Sequence, residues 1–165
     1  MIRRCTDSDF EAMWTIINDA AMVYEGAIPS DCWHQPYMSK SELRREIAAG
    51  VEFWGYEDDD VLVGLMGSQQ VQDVCLIRHA YVLPVRQREG IGGALLCHLR
   101  SQADLPILIG TWADAVWAIR FYEKHGFQMV TGGETASLLR RYWSVPERQM
   151  ACSVVLADQG WFYRR

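Results

Sequence analysis

Between Gln87 and Gly93 the sequence reads QREGIGG, with glycine at three of the last four positions, just where an apolar helix-like run begins. The first backbone N–H groups of a helix have no intrahelical acceptor, and together with the helix dipole they favour an anion. Glycine removes the Cβ atom, so phosphate oxygens can come close, and it permits positive φ where the loop must turn. A strand, a tight glycine loop and a helix therefore outline a phosphate cradle. On spacing alone a plain tight turn fits as well. The pattern is not a P-loop, since no GK[ST] follows, and the glycines do not form the dinucleotide fingerprint G-x-G-x-x-G. Arg86 and Arg88 add local positive charge, which a net charge of -5 does not cancel, because salt limits such effects to about 8 Å.

Other residues could move protons or meet a ligand. Glu25 and His34 lie in a glycine- and proline-broken segment between two helical patterns, and His79 lies in the strand that precedes the loop. Histidine titrates near neutral pH and suits a base. Regular alternation turns His79 away from Arg78 and Leu76, and a bulge would reverse that. The run Glu57–Asp60 lies between two strand-like segments and reads as a solvated hairpin turn rather than a metal site. The five cysteines are odd in number, widely spaced and free of CxxC, which gives neither a disulfide frame nor a zinc site. No metal is expected, and a reducing cytoplasm is the expected compartment.

These residues need elements to hold them. Phe10, Met13, Ile17, Ala20 and Tyr24 recur at helical spacing behind the cap candidates Thr6 and Ser8. Ser39 and Glu42 form a capping-box signature for a second helix, with Leu43 and Ile47 on one face and Gly50 as its stop. Strands are expected at 51–56, 61–69, 74–83 and 106–112. A helix with Leu95, Leu96 and Leu99 starts near Gly92, and Cys97 is expected in its core. Another helix carries Ala118, Phe121 and Tyr122 and ends at Gly126, and segments 127–130 and 151–157 close the sheet. Residues 142–149 read as a loop. The order fits an α/β or α+β layer of sheet covered by helices, in one domain over residues 1–165.

Composition narrows the function classes. The acidic balance argues against general nucleic-acid binding. No apolar run approaches the roughly 20 residues of a membrane span, and the first ten residues lack the apolar centre of a signal peptide.

Val82-x-Pro84, then Gln87-x-x-Gly90-x-Gly92 and an Ala-Leu-Leu helix, resemble the acetyl-CoA segment of the GNAT N-acetyltransferases. The segment Ala118–Phe127, AIRFYEKHGF, is similar to a second motif of that superfamily, at the matching distance. The resemblance runs along nearly the whole chain. It implies a single mixed, mostly antiparallel sheet of about seven strands with splayed central strands, flanked by four helices. It implies acetyl-CoA, with the pantetheine arm paired to Tyr81 and Val82 and the pyrophosphate on N–H groups of Gln87, Arg88, Glu89, Gly90, Ile91, Gly92 and Gly93. Ala118 and Tyr122 would complete the cofactor side, with Tyr122 as the acid for the leaving thiolate. The family positions that carry a base fall on Arg78 and Leu76; Glu25, His34 and His79 are the candidates here, beside water-relayed proton loss. Ala115 stands where the family often has asparagine, so that contact is absent or comes from Asp114 or Trp117. Trp33, Trp112 and Trp143, with Arg78, fall where the acceptor would bind. The expected reaction is direct acetyl transfer to a primary amine of a small molecule or amino acid. Peptide N-acetylation and a non-catalytic acyl-CoA-binding module are the alternatives. The expected partner is a small amine, with neither nucleic acid nor membrane, and association into a homodimer is left open.

Overall fold

The computed structural model describes residues 1–164. Its strands are β1 (Ile2–Arg4), β2 (Glu52–Asp58), β3 (Val61–Val71), β4 (Val74–Val82), β5 (Ile107–Trp112), β6 (Gln128–Met129) and β7 (Ser153–Ala157). The helices are α1 (Phe10–Ala21), α2 (Lys40–Ala48), α3 (Ile91–Gln102), α4 (Val116–Lys124), α5 (Gly132–Tyr142), α6 (Glu147–Ala151) and α7 (Gln159–Phe162). The strands form one mixed sheet in the order β1-β2-β3-β4-β5-β7-β6. No helix among the described residues is long and apolar enough to cross a membrane.

The chain divides into two compact units. The first comprises Met1–Val23, His34–Gln70 and Ile77–Ala103. It holds β1, β2, most of β3 and the later part of β4, with α1, α2 and α3. A 3-10 turn at Asp7–Asp9 precedes α1, and Thr6 and Asp9 form a capping box at its start. Arg3 ties this corner down, reaching Asp9 at 2.8 Å and Glu57 at 2.6 Å. The hydrogen bond from Arg3 holds the Asp9 carboxyl down at about 2, against the smaller opposing effect of burial. The expected capping box of α2 is present: Ser39 N–H donates to Glu42 Oε2 at 2.6 Å, and Glu42 N–H donates to Ser39 Oγ at 3.1 Å. Leu43 is fully buried, whereas Ile47 is 39 % exposed, so the apolar face of α2 is narrower than its spacing suggests. Gly50 follows the helix with φ +98°, as a stop requires. The hairpin joining β2 to β3 turns through Asp59 and Asp60, both left-handed. In α3, Leu95, Leu96 and Leu99 are buried as expected. Cys97 is exposed, contrary to expectation, because it falls between those leucines on the opposite face.

The second unit comprises Tyr24–Trp33, Val71–Leu76 and the chain from Asp104 onward. β5 pairs antiparallel with β7 from Leu108↔Ala157 to Trp112↔Ser153, and β6 pairs with the far edge of β7. The core joins Leu76, Leu108, Val130, Leu138, Leu139, Tyr142 and Val155. Among the described residues seven helices stand where four are expected. Helix α5 opens on two glycines, and Gly is a poor helix former. Burial of Leu138, Leu139 and Tyr142 outweighs that local cost. The segment read as a loop at 142–149 ends in the short α6.

Two stability predictions follow from the first unit. Stability linked to Asp9 is complete above the ordinary carboxylate value of 3.8 and is lost as pH falls towards about 2. Thermal midpoints measured from pH 5 to pH 2 should fall in that window, and Asp9→Asn should flatten the fall. At Gly67 a Cβ would lie 2.9 Å from Val51 Cγ1, 3.0 Å from the Arg78 carbonyl and 3.2 Å from Phe53 Cε1. Gly67→Ala should therefore cost about 1–3 kcal/mol in denaturant unfolding.

Candidate functional site

The turn from β4 into α3 is built by backbone conformation. Leu83 N–H donates to the Val63 carbonyl at 2.9 Å, which holds the end of β4 against β3. Pro84–Arg86 form one 3-10 turn with proline at its start. Arg88 then takes φ +68° and Gly90 φ +82°. Gly90 is the N-cap of α3, and the first helical bond runs from Ala94 N–H to the Gly90 carbonyl at 2.9 Å. The N–H groups of Ile91, Gly92 and Gly93 thus precede the hydrogen-bonded helix. A Cβ on Gly90 would meet no atom within 4 Å, so the space beside the turn is open. Gln87, Arg88, Glu89 and Gly90 are exposed, and Ile91 anchors the turn in the core. Its side chain lies 3.0 Å from where a Gly64 Cβ would be. A diphosphate fits such a cradle: the donors come from the backbone, the dipole of a twelve-residue helix adds to them, and no side chain fills the place. Arg86 contributes less positive charge than its type suggests, since Asp58 holds it at 2.8 Å and Glu89 at 2.9 Å.

Along β4 the chain also leaves the extended region. His79 has φ +54°, a conformation few residues other than glycine adopt. A regular strand sends neighbours to opposite faces. Here Arg78 and His79 meet the same carboxylate: Arg78 Nη1 lies 3.1 Å from Glu46 Oε2, and His79 donates from Nε2 to that oxygen at 2.9 Å. The left-handed residue thus accompanies a meeting of neighbours that regular alternation would separate. Beyond it Tyr81 is buried, and its ring approaches Tyr37 edge-on at 6.3 Å. Arg78 also donates to Gln69 Oε1 at 3.0 Å. His79 packs 5.8 Å from the Phe53 ring. His34 is exposed, and its Nδ1–H donates to the Pro36 carbonyl at 2.9 Å.

In the second unit, Tyr122 is buried on α4 beside Ala118. Its ring lies 5.1 Å from Phe121 and 6.1 Å from Phe127, in edge-on contacts. Burial, and then the neighbouring Tyr24, push its phenol well above the ordinary value. Tyr24 packs 5.3 Å from Trp117. Glu25 is exposed in the loop that this pair borders. Ala115 is buried at the N-cap of α4 and makes no side-chain cap, while Asp114 and Trp117 are exposed. Trp112 is 8 % exposed at the end of β5. Trp143 lies flat on Gly110, its ring 3.3 Å from where a Cβ would be, next to Trp112 on one face of β5. Trp33 is half-buried. Each predicted residue thus has a defined place. Glu46 was not singled out, because nothing in a surface helix marks one glutamate among several before the strand opposite is known.

Residues 18–137 match the family model described as an acetyltransferase (GNAT) domain. No curated protein sequence matches the chain significantly. Among solved structures, PaiA N-acetyltransferase of Thermoplasma acidophilum, in complex with coenzyme A, gives a TM-score of 0.72 at 17% identity, over 96% of this chain and 97% of that one. Ribosomal-protein-S18-alanine N-acetyltransferase of Escherichia coli gives 0.68 at 19% identity, over 96% and 92%. N-acetylglutamate synthase of Neisseria gonorrhoeae, complexed with coenzyme A and N-acetyl-glutamate, gives 0.65 at 20% identity, over 96% of this chain and 34% of that one. These three likenesses show the fold.

The left-handed turn predicts an order among substitutions at Gly90. Asparagine tolerates positive φ and should leave the unfolding midpoint near wild type, whereas Gly90→Val should lose roughly 1–2 kcal/mol.

Proposed function

The chain belongs to the GNAT acetyltransferases, and on that premise we propose that it moves an acetyl group from acetyl-CoA directly to a primary amine of a small molecule or amino acid. The whole chain acts as one catalytic domain in this reading, and its five cysteines, none of them in a disulfide, suit a reducing cytoplasm. The observation that carries it is the exposed left-handed turn that ends at the N-terminus of α3. When bound, acetyl-CoA supplies an activated thioester.

The chain's own residues supply seating and proton movement. N–H groups from Gln87 to Gly93 seat the diphosphate, and the end of β4 at Tyr81 and Val82 offers backbone groups to the pantetheine arm. Tyr122 holds a proton on Oη throughout the neutral range, since burial disfavours the phenolate. It serves as the acid for the leaving thiolate. An alkylammonium acceptor must lose a proton before it can attack, because its ordinary pKa is about 10. His79 takes that proton. Among Glu25, His34 and His79, it alone combines partial burial with a carboxylate partner. The indole of Trp143, laid on Gly110 beside Trp112, offers an aromatic wall that suits a small cationic or apolar amine.

Thiol release from acetyl-CoA tests the reading over a panel of putrescine, glutamate and an alanine-starting peptide. Turnover with a small amine supports it. Turnover with the peptide alone would transfer the reading to peptide N-acetylation, and coenzyme A uptake without any turnover would leave a binding module. Tyr122→Phe should lower kcat about 100-fold or more while coenzyme A affinity, read by calorimetry, stays within about twofold. Unchanged turnover would remove Tyr122 from the chemistry.

A further inference from the structure

The cluster that β4 and α2 form around Glu46 contains more than a tether. A carboxylate only accepts hydrogen bonds, so the 2.9 Å contact with His79 requires the hydrogen on Nε2. In the neutral ring that leaves Nδ1 as the one basic nitrogen. The strand maintains this contact at the cost of a left-handed residue, and such strain persists only where the surroundings enforce it. The surroundings do so on each side. Gly67, paired with Phe53 across β2 and β3, has no side chain, which lets the Phe53 ring and the Arg78 backbone come together. The His79 side chain is 14 % exposed, so it is enclosed without being sealed from solvent.

We propose that Glu46 is the positioning residue of the acetyl transfer: its carboxylate fixes the His79 tautomer and ring, and Nδ1 takes the proton from the acceptor ammonium. The inference rests on the acetyltransfer reading above. The step balances: an N–H bond of the ammonium breaks, its electron pair stays on the amine nitrogen, an Nδ1–H bond forms, and the imidazolium that results is held by the Glu46 carboxylate. Glu46 from α2 meets the ring, Phe53 from β2 packs beside it without charge, and Arg78 from the same strand reaches the same carboxylate. Arg45 lies near enough to act on Glu46. Burial would raise the Glu46 carboxyl, but the hydrogen bond from His79 and the charges of His79, Arg78 and Arg45 outweigh it, so the group stays ionised at neutral pH.

Two measurements on the full chain test this. Long-range 15N–1H correlation spectra at pH 8 should show His79 with hydrogen on Nε2 and a bare Nδ1; the opposite tautomer overturns the inference. Turnover is then followed against pH with the fastest amine of the panel, for wild type, Glu46→Gln and His79→Gln. Glu46→Gln should keep coenzyme A uptake, lose at least about tenfold in kcat, and shift the acid limb of kcat/KM to lower pH. His79→Gln should lose as much or more, and the double variant should lose no more than His79→Gln. A carboxylate that merely tethered α2 would change the unfolding midpoint and leave the pH profile in place, and that result overturns the inference while acetyl transfer stands. Absence of coenzyme A uptake by the wild type would bring down the acetyltransfer reading, and this inference with it.

Discussion

Positive φ at Arg88 and Gly90 is the constraint on which the rest depends. It turns the chain sharply out of β4, so that α3 begins from an exposed left-handed glycine. Around it the sequence supplies support and no obstruction. Proline starts the 3-10 turn, Ile91 roots the helix in the core, and Gly90 leaves open the place where a Cβ would project. The acidic net charge is no obstacle to the proposed anion site, because that site relies on oriented peptide dipoles rather than side-chain charge. The engagement of Arg86 by Asp58 and Glu89 makes the same point: the guanidinium braces the turn more than it attracts a ligand.

The same kind of backbone departure recurs once in β4. At His79 a left-handed residue brings two consecutive side chains to one carboxylate, where a flat strand would have separated them. Strain in a strand costs on the order of 1–3 kcal/mol. Here the Glu46 hydrogen bond, the Arg78 ion pair and the missing Gly67 side chain offset it. In the second unit Tyr122 relies on burial in place of strain. Packing against Phe121 and Phe127 helps bury the phenol, and that burial keeps it protonated.

Much of this was legible in the sequence, because glycines, caps and apolar periods are local signals. Ser39 and Glu42, Gly50, the Asp59–Asp60 hairpin and the leucines of α3 take the places their types predict. Helix α5 was not legible, since Gly132 and Gly133 argue locally against a helix that tertiary burial of Leu138, Leu139 and Tyr142 enforces. Apolar character alone puts Cys97 in the core, but its angular position among Leu95, Leu96 and Leu99 turns it to solvent. The pairing of His79 with Glu46 spans thirty-three residues and involves a left-handed residue that period-two patterning hides. Turns set by local residue chemistry can therefore be read from one sequence, whereas contacts made between distant elements need the folded strand.

The central claim is that amides of the β4–α3 turn seat the diphosphate of coenzyme A. Titrating the 15N-labelled protein with coenzyme A and following each backbone amide tests it most directly. The account predicts saturable shifts concentrated at Arg88, Gly90, Ile91, Gly92 and Gly93. Saturable binding that leaves those amides unmoved would contradict it.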